Sequence, residues 1–156
     1  MFKKNRNFYY GYLLSLIFEE QLKDEIKIYG ESRSFTQLRP YLMGRNPDGA
    51  FNKIPYLKGY DFLVYLENIT NSESNIDLFR KILREYFDTF KYLSIGSEDF
   101  KQFFTEKIKE ELPEKSEEIF DKINWFKWID APGYPPVQFN YSNKYEEEIG
   151  EYASLF

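Results

Sequence analysis

The first thirty residues carry an almost continuous apolar stretch that settles into a helical rhythm. Apolar side chains are nearly unbroken from Phe8 to Phe18, and they then recur every four residues at Leu22 and Ile26. This spacing predicts one long helix that becomes more exposed toward Gly30, a residue suited to a helix end.

The same stretch resembles a signal peptide, because three basic residues precede it. Its apolar run is about half the length that a membrane-spanning helix needs. Glu19 and Glu20 follow directly, where a cleaved leader has small residues. The sequence therefore predicts a buried helix rather than a membrane segment, and the default location is cytoplasmic.

Later segments repeat apolar residues at intervals of three and four, which predicts further amphipathic helices. We expect Pro55 to stand in the first turn of one, and Ser97 and Asn124 to cap two others. No pattern of strands or hairpins is present. The sequence therefore predicts an all-α fold with helices over 55–68, 76–90, 97–112 and 116–123 and a last turn at 125–128.

Two segments do not fit a helix. The loop from Glu31 to Ile54 is rich in Gly, Asn, Pro and Asp, and a connection of this length is usually functional. Ala131 to Val137 holds three prolines in seven residues, which predicts a stiff extended connector.

Composition narrows the possible chemistry. The chain has no histidine and no cysteine, which excludes a Ser-His-Asp triad, a thiol nucleophile and an ordinary protein zinc site. Its formal net charge is −5, so neither nucleic acid nor an anionic membrane is an expected partner. We therefore expect no metal to be bound by this chain alone.

The loop before Pro55 concentrates the candidate chemistry. A tyrosine in the first turn of a helix, here Tyr56, can aim its hydroxyl into a cleft and donate a hydrogen bond to a developing oxyanion. Asp48, in a turn, could orient a water or an amine. The spacing alone favours a plainer interpretation, in which Tyr56 is a half-buried aromatic and Asp48 a turn former.

Two groups of residues then resemble one enzyme family, the leukotriene A4 hydrolase-type zinc aminopeptidases. The first is Pro47-Asp48, Ala50-Phe51 and Pro55-Tyr56 with Lys58-Gly59, and it continues through 62–67. The second is Trp125 and Trp128 followed by the proline-rich stretch up to Tyr141. Ordered matches cover roughly residues 30–141.

The resemblance implies the distal helical half of a thermolysin-like (gluzincin) catalytic domain. In that family zinc is held by a His-Glu-x-x-His helix and a further glutamate, and N-terminal residues are removed from peptides. The resemblance assigns to Tyr56 the catalytic tyrosine that stabilises the tetrahedral intermediate. It assigns to Asp48 a role in placing water during epoxide opening, and substrate-pocket positions to Pro47, Asp48, Ala50, Phe51 and Pro55.

The resemblance also implies a domain organisation. Residues 1–130 would be the C-terminal part of the catalytic domain, 131–141 a linker, and 142–156 the start of a helical-repeat domain. The zinc-binding half would lie upstream of Met1, so the expectation is a truncated gene model, a split gene product or a decayed copy.

Two positions depart from the family pattern. Leu57 stands where the family usually has glutamate after the tyrosine. Phe51 lacks a hydroxyl that the mammalian hydrolase has at the matching place, which argues against leukotriene-specific chemistry more than against peptide hydrolysis.

Two functions therefore stay open. One is part of a zinc aminopeptidase, inactive alone and completed by a polypeptide that supplies the zinc-binding half, with peptides as substrates. The other is a non-catalytic helical module for protein binding, with Trp125, Trp128 and the prolines as its contact surface.

Overall fold

The structure is a computed structural model that describes residues 6–42, 44, 46–74 and 76–139; side chains at 6–10, 12, 13 and 50 are left aside. Over these residues the backbone forms helices and contains no strand, so the all-α prediction is confirmed. The helices are α1 (Arg6–Tyr29), α2 (Ile54–Asn71), α3 (Leu78–Phe90), α4 (Ser97–Glu111), α5 (Ser116–Lys122) and α6 (Trp125–Ile129).

The chain divides into two compact units. The first comprises Met1–Asp61 with Phe126–Phe156, and the second comprises Phe62–Trp125. The boundary cuts α2 and α6, so each of these helices contributes residues to both units.

Helix α1 confirms the predicted long helix. Leu22 and Ile26 are buried, as their four-residue spacing predicts, and Ile28 is exposed near the helix end. Gly30 follows with φ +90°, a left-handed conformation that glycine adopts without steric cost. Nothing in the described part of the chain is long and apolar enough to cross a membrane.

The segment between α1 and α2 is irregular, as predicted. Its regular backbone is limited to two short 3₁₀ turns, Ser34–Thr36 and Pro47–Ala50. Arg39 anchors the segment within the first unit, because its guanidinium donates to both carboxylate oxygens of Asp130 at 2.9 and 3.0 Å. Gln37 adds a side-chain hydrogen bond to the Asp130 carbonyl.

In the second unit α3 and α4 pack through aromatic rings. The ring of Tyr86 contacts those of Phe90, Phe100 and Phe103, with centroids 5.0–5.6 Å apart. Such edge and tilted pairs stabilise beyond the area that they bury. Phe104 and Ile108 are fully buried, as the periodicity of α4 predicts.

The predicted details of this unit were wrong in three places. Ile76 and Phe87 are 59% and 66% exposed, so the apolar stripe of α3 is narrower than the sequence pattern. Ser97 is the first residue of α4 rather than its cap. Gly96 takes the cap position, and its N–H donates to the Asp99 carboxylate at 2.7 Å.

The proline-rich segment 131–137 forms neither helix nor strand, in agreement with its composition. The predictions for residues 140–156, which include the end of the linker and the start of a further domain, lie outside the described residues. The division into 1–130, 131–141 and 142–156 stays a prediction.

Candidate functional site

The residues singled out from the sequence lie at the end of the long loop and in the first turn of α2. Pro47, Asp48 and Ala50 form the second 3₁₀ turn, in which the Asn46 side chain accepts a hydrogen bond from the Asp48 N–H at 3.0 Å. Pro47 and Asp48 are exposed. The turn thus presents the Asp48 carboxylate at the surface of the loop.

Phe51 and Tyr56 come together at this surface. Phe51 is 72% exposed and Tyr56 is 64% exposed, and their rings meet edge to face with centroids 6.3 Å apart. Pro55, between them in sequence, is also exposed. The plainer interpretation of the spacing, in which Tyr56 is a half-buried aromatic, is therefore wrong, because most of the ring is exposed.

Buried neighbouring side chains hold the backbone that carries Tyr56. Asn52 is buried, and its side chain accepts from the Ile54 N–H at 2.9 Å and donates to the Phe35 carbonyl at 3.0 Å. Ile54 and Leu57, on either side of Tyr56, are 0% and 3% exposed. An exposed ring thus stands on a turn whose flanking side chains are locked into the core of the first unit.

Lys58 is the strongest anchor of this turn. Its side chain is fully buried, and the ammonium donates to the carbonyls of Ala131, Gly133 and Thr36 at 2.9, 3.0 and 3.3 Å. Burial lowers the pKa of Lys58 to about 8. Lys58 therefore ties the helix start to the loop and to the proline-rich segment within the first unit.

Thr36 and Gly133 complete this polar cluster. The Thr36 hydroxyl accepts from the Gly133 N–H at 2.8 Å and donates to the Arg33 carbonyl at 2.7 Å. Gly133 has φ +83°, and an added Cβ would lie 2.8 Å from Cγ of Glu31. A side chain at 133 is thus excluded both by the backbone conformation and by the lack of space.

The spacing of residues along α2 already carries a signal for the burial of Lys58. Ile54, Leu57, Lys58 and Asp61 follow the three-four spacing of one helix face, and all four are buried. Two ionisable side chains therefore lie on the apolar stripe of α2. Ionisable groups are rarely fully buried unless they are paired, so such positions are worth examining from sequence alone.

One proposed contact surface is corrected by the structure. Trp128 is 1% exposed, and Trp125 packs in the second unit against the rings of Phe62, Phe100 and Phe104 at 5.5–6.5 Å. Trp128 is thus part of the packed interior and cannot form the surface of a binding module.

The residues of this chain do not fit a zinc site. The chain has no histidine or cysteine, and the described residues contain no group of three Asp or Glu side chains placed to hold a metal ion. A protein zinc site needs three or four such ligands. What the arrangement offers instead is an exposed phenol on a rigid helix start, a donor suited to a partly charged oxygen.

The chain is similar to known proteins. Residues 4–127 match the family model described as the peptidase family M1 domain. Leucine aminopeptidase 2 of Emericella nidulans is 35% identical over 127 residues, which are 81% of this chain and 20% of that protein. A leukotriene A-4 hydrolase homolog of Botryotinia fuckeliana is 35% identical over 121 residues, 78% of this chain and 18% of that protein.

Among solved structures, native leukotriene A4 hydrolase from Saccharomyces cerevisiae is similar, with a TM-score of 0.67 and 30% identity. The match covers 82% of this chain and 19% of that one. The chain therefore spans about a fifth of the length of the relatives that it matches.

Proposed function

Since this chain belongs to peptidase family M1, we propose that it forms one wall of an aminopeptidase active site. In this proposal Tyr56 donates a hydrogen bond to the scissile carbonyl oxygen as negative charge develops there. The observation that carries the proposal is the Tyr56 ring, 64% exposed on a turn held by buried Ile54, Leu57 and Lys58.

The rigidity of this turn supports the assignment. A donor stabilises a transition state best when it is already in place, because no reorganisation is then needed during the reaction. The hydrogen bonds of Asn52 and Lys58 fix the backbone on both sides of Tyr56. The hydroxyl can then reach outward while its helix stays in place.

The remainder of the active site would come from outside this chain. Enzymes of this family are zinc enzymes, whereas this chain has no histidine or cysteine and its described residues contain no group placed to hold the metal. We therefore propose that this chain is inactive alone and that another polypeptide segment supplies the zinc-binding part. The substrate would lie between the two polypeptide segments, and the exposed Phe51–Tyr56 pair is the surface of this chain that would face it.

Peptides are the proposed substrates. Phe51 lies against Tyr56 and brings no hydroxyl to that surface, so a reaction that needs a second phenol there is disfavoured. Asp48, exposed on the preceding turn, is available to bind a substrate amine or to orient water. An epoxide hydrolase activity and a cytoplasmic location stay predictions from the sequence.

A chimeric enzyme tests the role of Tyr56. The matching segment of leucine aminopeptidase 2 from Emericella nidulans is replaced by residues 4–139 of this chain, and hydrolysis of leucine p-nitroanilide is measured. Tyr56→Phe keeps the ring and removes the donor, so kcat should fall about 10²–10³-fold with an unchanged Tm. Tyr41→Phe, at a 74% exposed tyrosine of the same loop, is the control and should leave kcat unchanged.

Two results would contradict the proposed role of Tyr56. One is an unchanged kcat/KM in the Tyr56→Phe chimera. The other is a folded but inactive chimera that carries Tyr56, which would favour the non-catalytic binding module. Metal analysis of the 156-residue chain should find no stoichiometric zinc, and one tightly held zinc per chain would contradict the expected division of the site.

A further inference from the structure

A cleft in the first unit lies apart from the Tyr56 surface. It has a volume of about 210 Å³ and is lined by α1, by residues 134–139, which begin within the proline-rich segment, and by Asp61 of α2. Its walls are largely apolar, with Leu22, Tyr134, Val137 and Phe139 among them. A cleft of this size holds a ligand of fragment size rather than a peptide.

Asp61 is an unusual residue to find in such a place. It is 5% exposed, and its Oδ1 atom is buried with no hydrogen-bond partner among the described residues. A buried carboxylate without a partner is costly, so such groups are normally paired or hydrogen-bonded. Asp61 therefore has the capacity to bind a donor that enters the cleft.

The charges around the cleft favour a cation as that donor. Lys23 lies 2.9 Å from both Glu19 and Glu20, and Lys27 lies 3.5 Å from Asp24, so both lysines are engaged with carboxylates of their own helix. Of these side chains, Glu19, Lys23 and Lys27 line the cleft with Asp61, whereas Glu20 and Asp24 do not. Since each lysine is paired with a carboxylate of its own helix, the charge that bears on Asp61 is the negative charge of Glu19.

Burial, and in second place the charge of Glu19, raises the pKa of Asp61 to about 7. A cation bound beside Asp61 would favour the ionised carboxylate, so binding would be coupled to proton release. Glu19, Lys23 and Lys27 from α1 and Tyr134 from the proline-rich segment are the other titratable groups lining the cleft.

We propose that the cleft binds a small organic cation, an ammonium group on an apolar body, with Asp61 as its counter-charge. The apolar walls would cover the body and the carboxylate would accept from the ammonium. A divalent metal ion is a poorer match, because it needs several oxygen ligands and the described residues place no such group together. The inference does not depend on the proposed role of Tyr56.

Benzylammonium and benzyl alcohol are the probes, because they share a ring and differ in the charged donor. Each is titrated into the full chain at pH 8 and followed by ¹H–¹⁵N correlation spectra. Benzylammonium should shift the amides of Leu22, Asp61 and Val137 in a saturable way, with a Kd of about 1–10 mM for a ligand of this size. Benzyl alcohol should bind at least tenfold more weakly.

Two variants and a pH series complete the test. Asp61→Asn preserves the shape of the side chain and removes the charge, and it should weaken benzylammonium binding at least tenfold. The control, Asp24→Asn, removes an exposed charge from the same helix as the lysines and should change the affinity less than twofold. Lowering the pH from 8 to 5.5 should weaken binding about tenfold or more in the wild type and not in Asp61→Asn.

Any of three results would overturn the proposal. The first is equal binding of benzylammonium by the wild type and by Asp61→Asn. The second is equal binding of the alcohol and the ammonium, which would show an apolar cleft with no use for the carboxylate. The third is the absence of saturable shifts at these amides.

Discussion

Lys58→Met probes the polar cluster that anchors the Tyr56 turn. Methionine is unbranched and replaces most of the aliphatic part of lysine but has no donor, so three carbonyl oxygens lose their partner. An unsatisfied buried acceptor costs about 1–3 kcal/mol, which gives about 3–9 kcal/mol for the three. The substitution also removes a buried charge. Its pKa, lowered from 10.5 to about 8, corresponds to about 3 kcal/mol of relief.

The difference is about 0–6 kcal/mol, and its midpoint predicts that Lys58→Met lowers the free energy of unfolding by about 3 kcal/mol. Urea unfolding followed by far-ultraviolet circular dichroism measures this value. Lys27→Met is the control, because Lys27 belongs to the same unit, is 69% exposed and makes one surface ion pair. It should change the free energy of unfolding by less than about 1 kcal/mol.

The pH dependence gives an independent check on Lys58. Between pH 8 and 10.5 the unfolded chain holds the Lys58 proton more tightly than the native state does. The contribution of Lys58 to the free energy of unfolding therefore rises with pH across that window. The wild type should become more stable relative to Lys58→Met as the pH increases from 8 to 10.5. A Lys58→Met protein within about 0.5 kcal/mol of the wild type, with no change in the difference from pH 8 to 10.5, would refute the reasoning.

Two further predictions concern the same unit. Asp61→Asn should have no effect on stability near pH 3 and should stabilise the chain increasingly from pH 4 to 7, up to about 4 kcal/mol. The reason is that the raised pKa of Asp61 makes ionisation of its carboxyl unfavourable in the native state. Urea unfolding of both proteins across this pH range measures the difference in stability, and a difference that does not change with pH would contradict the prediction. Gly133→Ala should cost about 2–4 kcal/mol, since its Cβ would meet Cγ of Glu31 at 2.8 Å and the Glu31 carbonyl oxygen at 3.1 Å. Gly44→Ala, at φ +75° with open space around it, should cost only the backbone strain of about 1–2 kcal/mol. Equal losses of Tm for the two glycine variants would show that the close contact at Gly133 is relieved at no cost.

Much of the local structure followed from the order of residues. Periodic apolar positions located the helices because a helix that packs on a core must repeat its apolar side chains every three or four residues. The loop before Tyr56 followed from its Gly, Asn and Pro content, and the absence of histidine and cysteine excluded a protein zinc site. These properties depend on residue type and on short spacing, so they can be read before any fold is known.

The errors came from side chains whose surroundings are set by distant parts of the chain. Trp128 is a predicted contact residue and is buried, whereas Ile76 and Phe87, apolar residues within the predicted helix 76–90, are exposed. An apolar residue at helical spacing is buried only where another element covers it. The order of residues along one helix does not specify which element that will be.

The sequence by itself determined an all-helical chain that resembles the leukotriene A4 hydrolase-type aminopeptidases, with a tyrosine at a helix start and no histidine or cysteine. Only the tertiary structure decided that this tyrosine is exposed while its neighbours are locked in place. It also decided that Lys58 donates to carbonyl oxygens 22, 73 and 75 residues away, and that Oδ1 of Asp61 is buried without a hydrogen-bond partner among the described residues. The physical reason is that burial and hydrogen bonding depend on which distant segments fold against a residue. The local spacing of residues does not specify those segments.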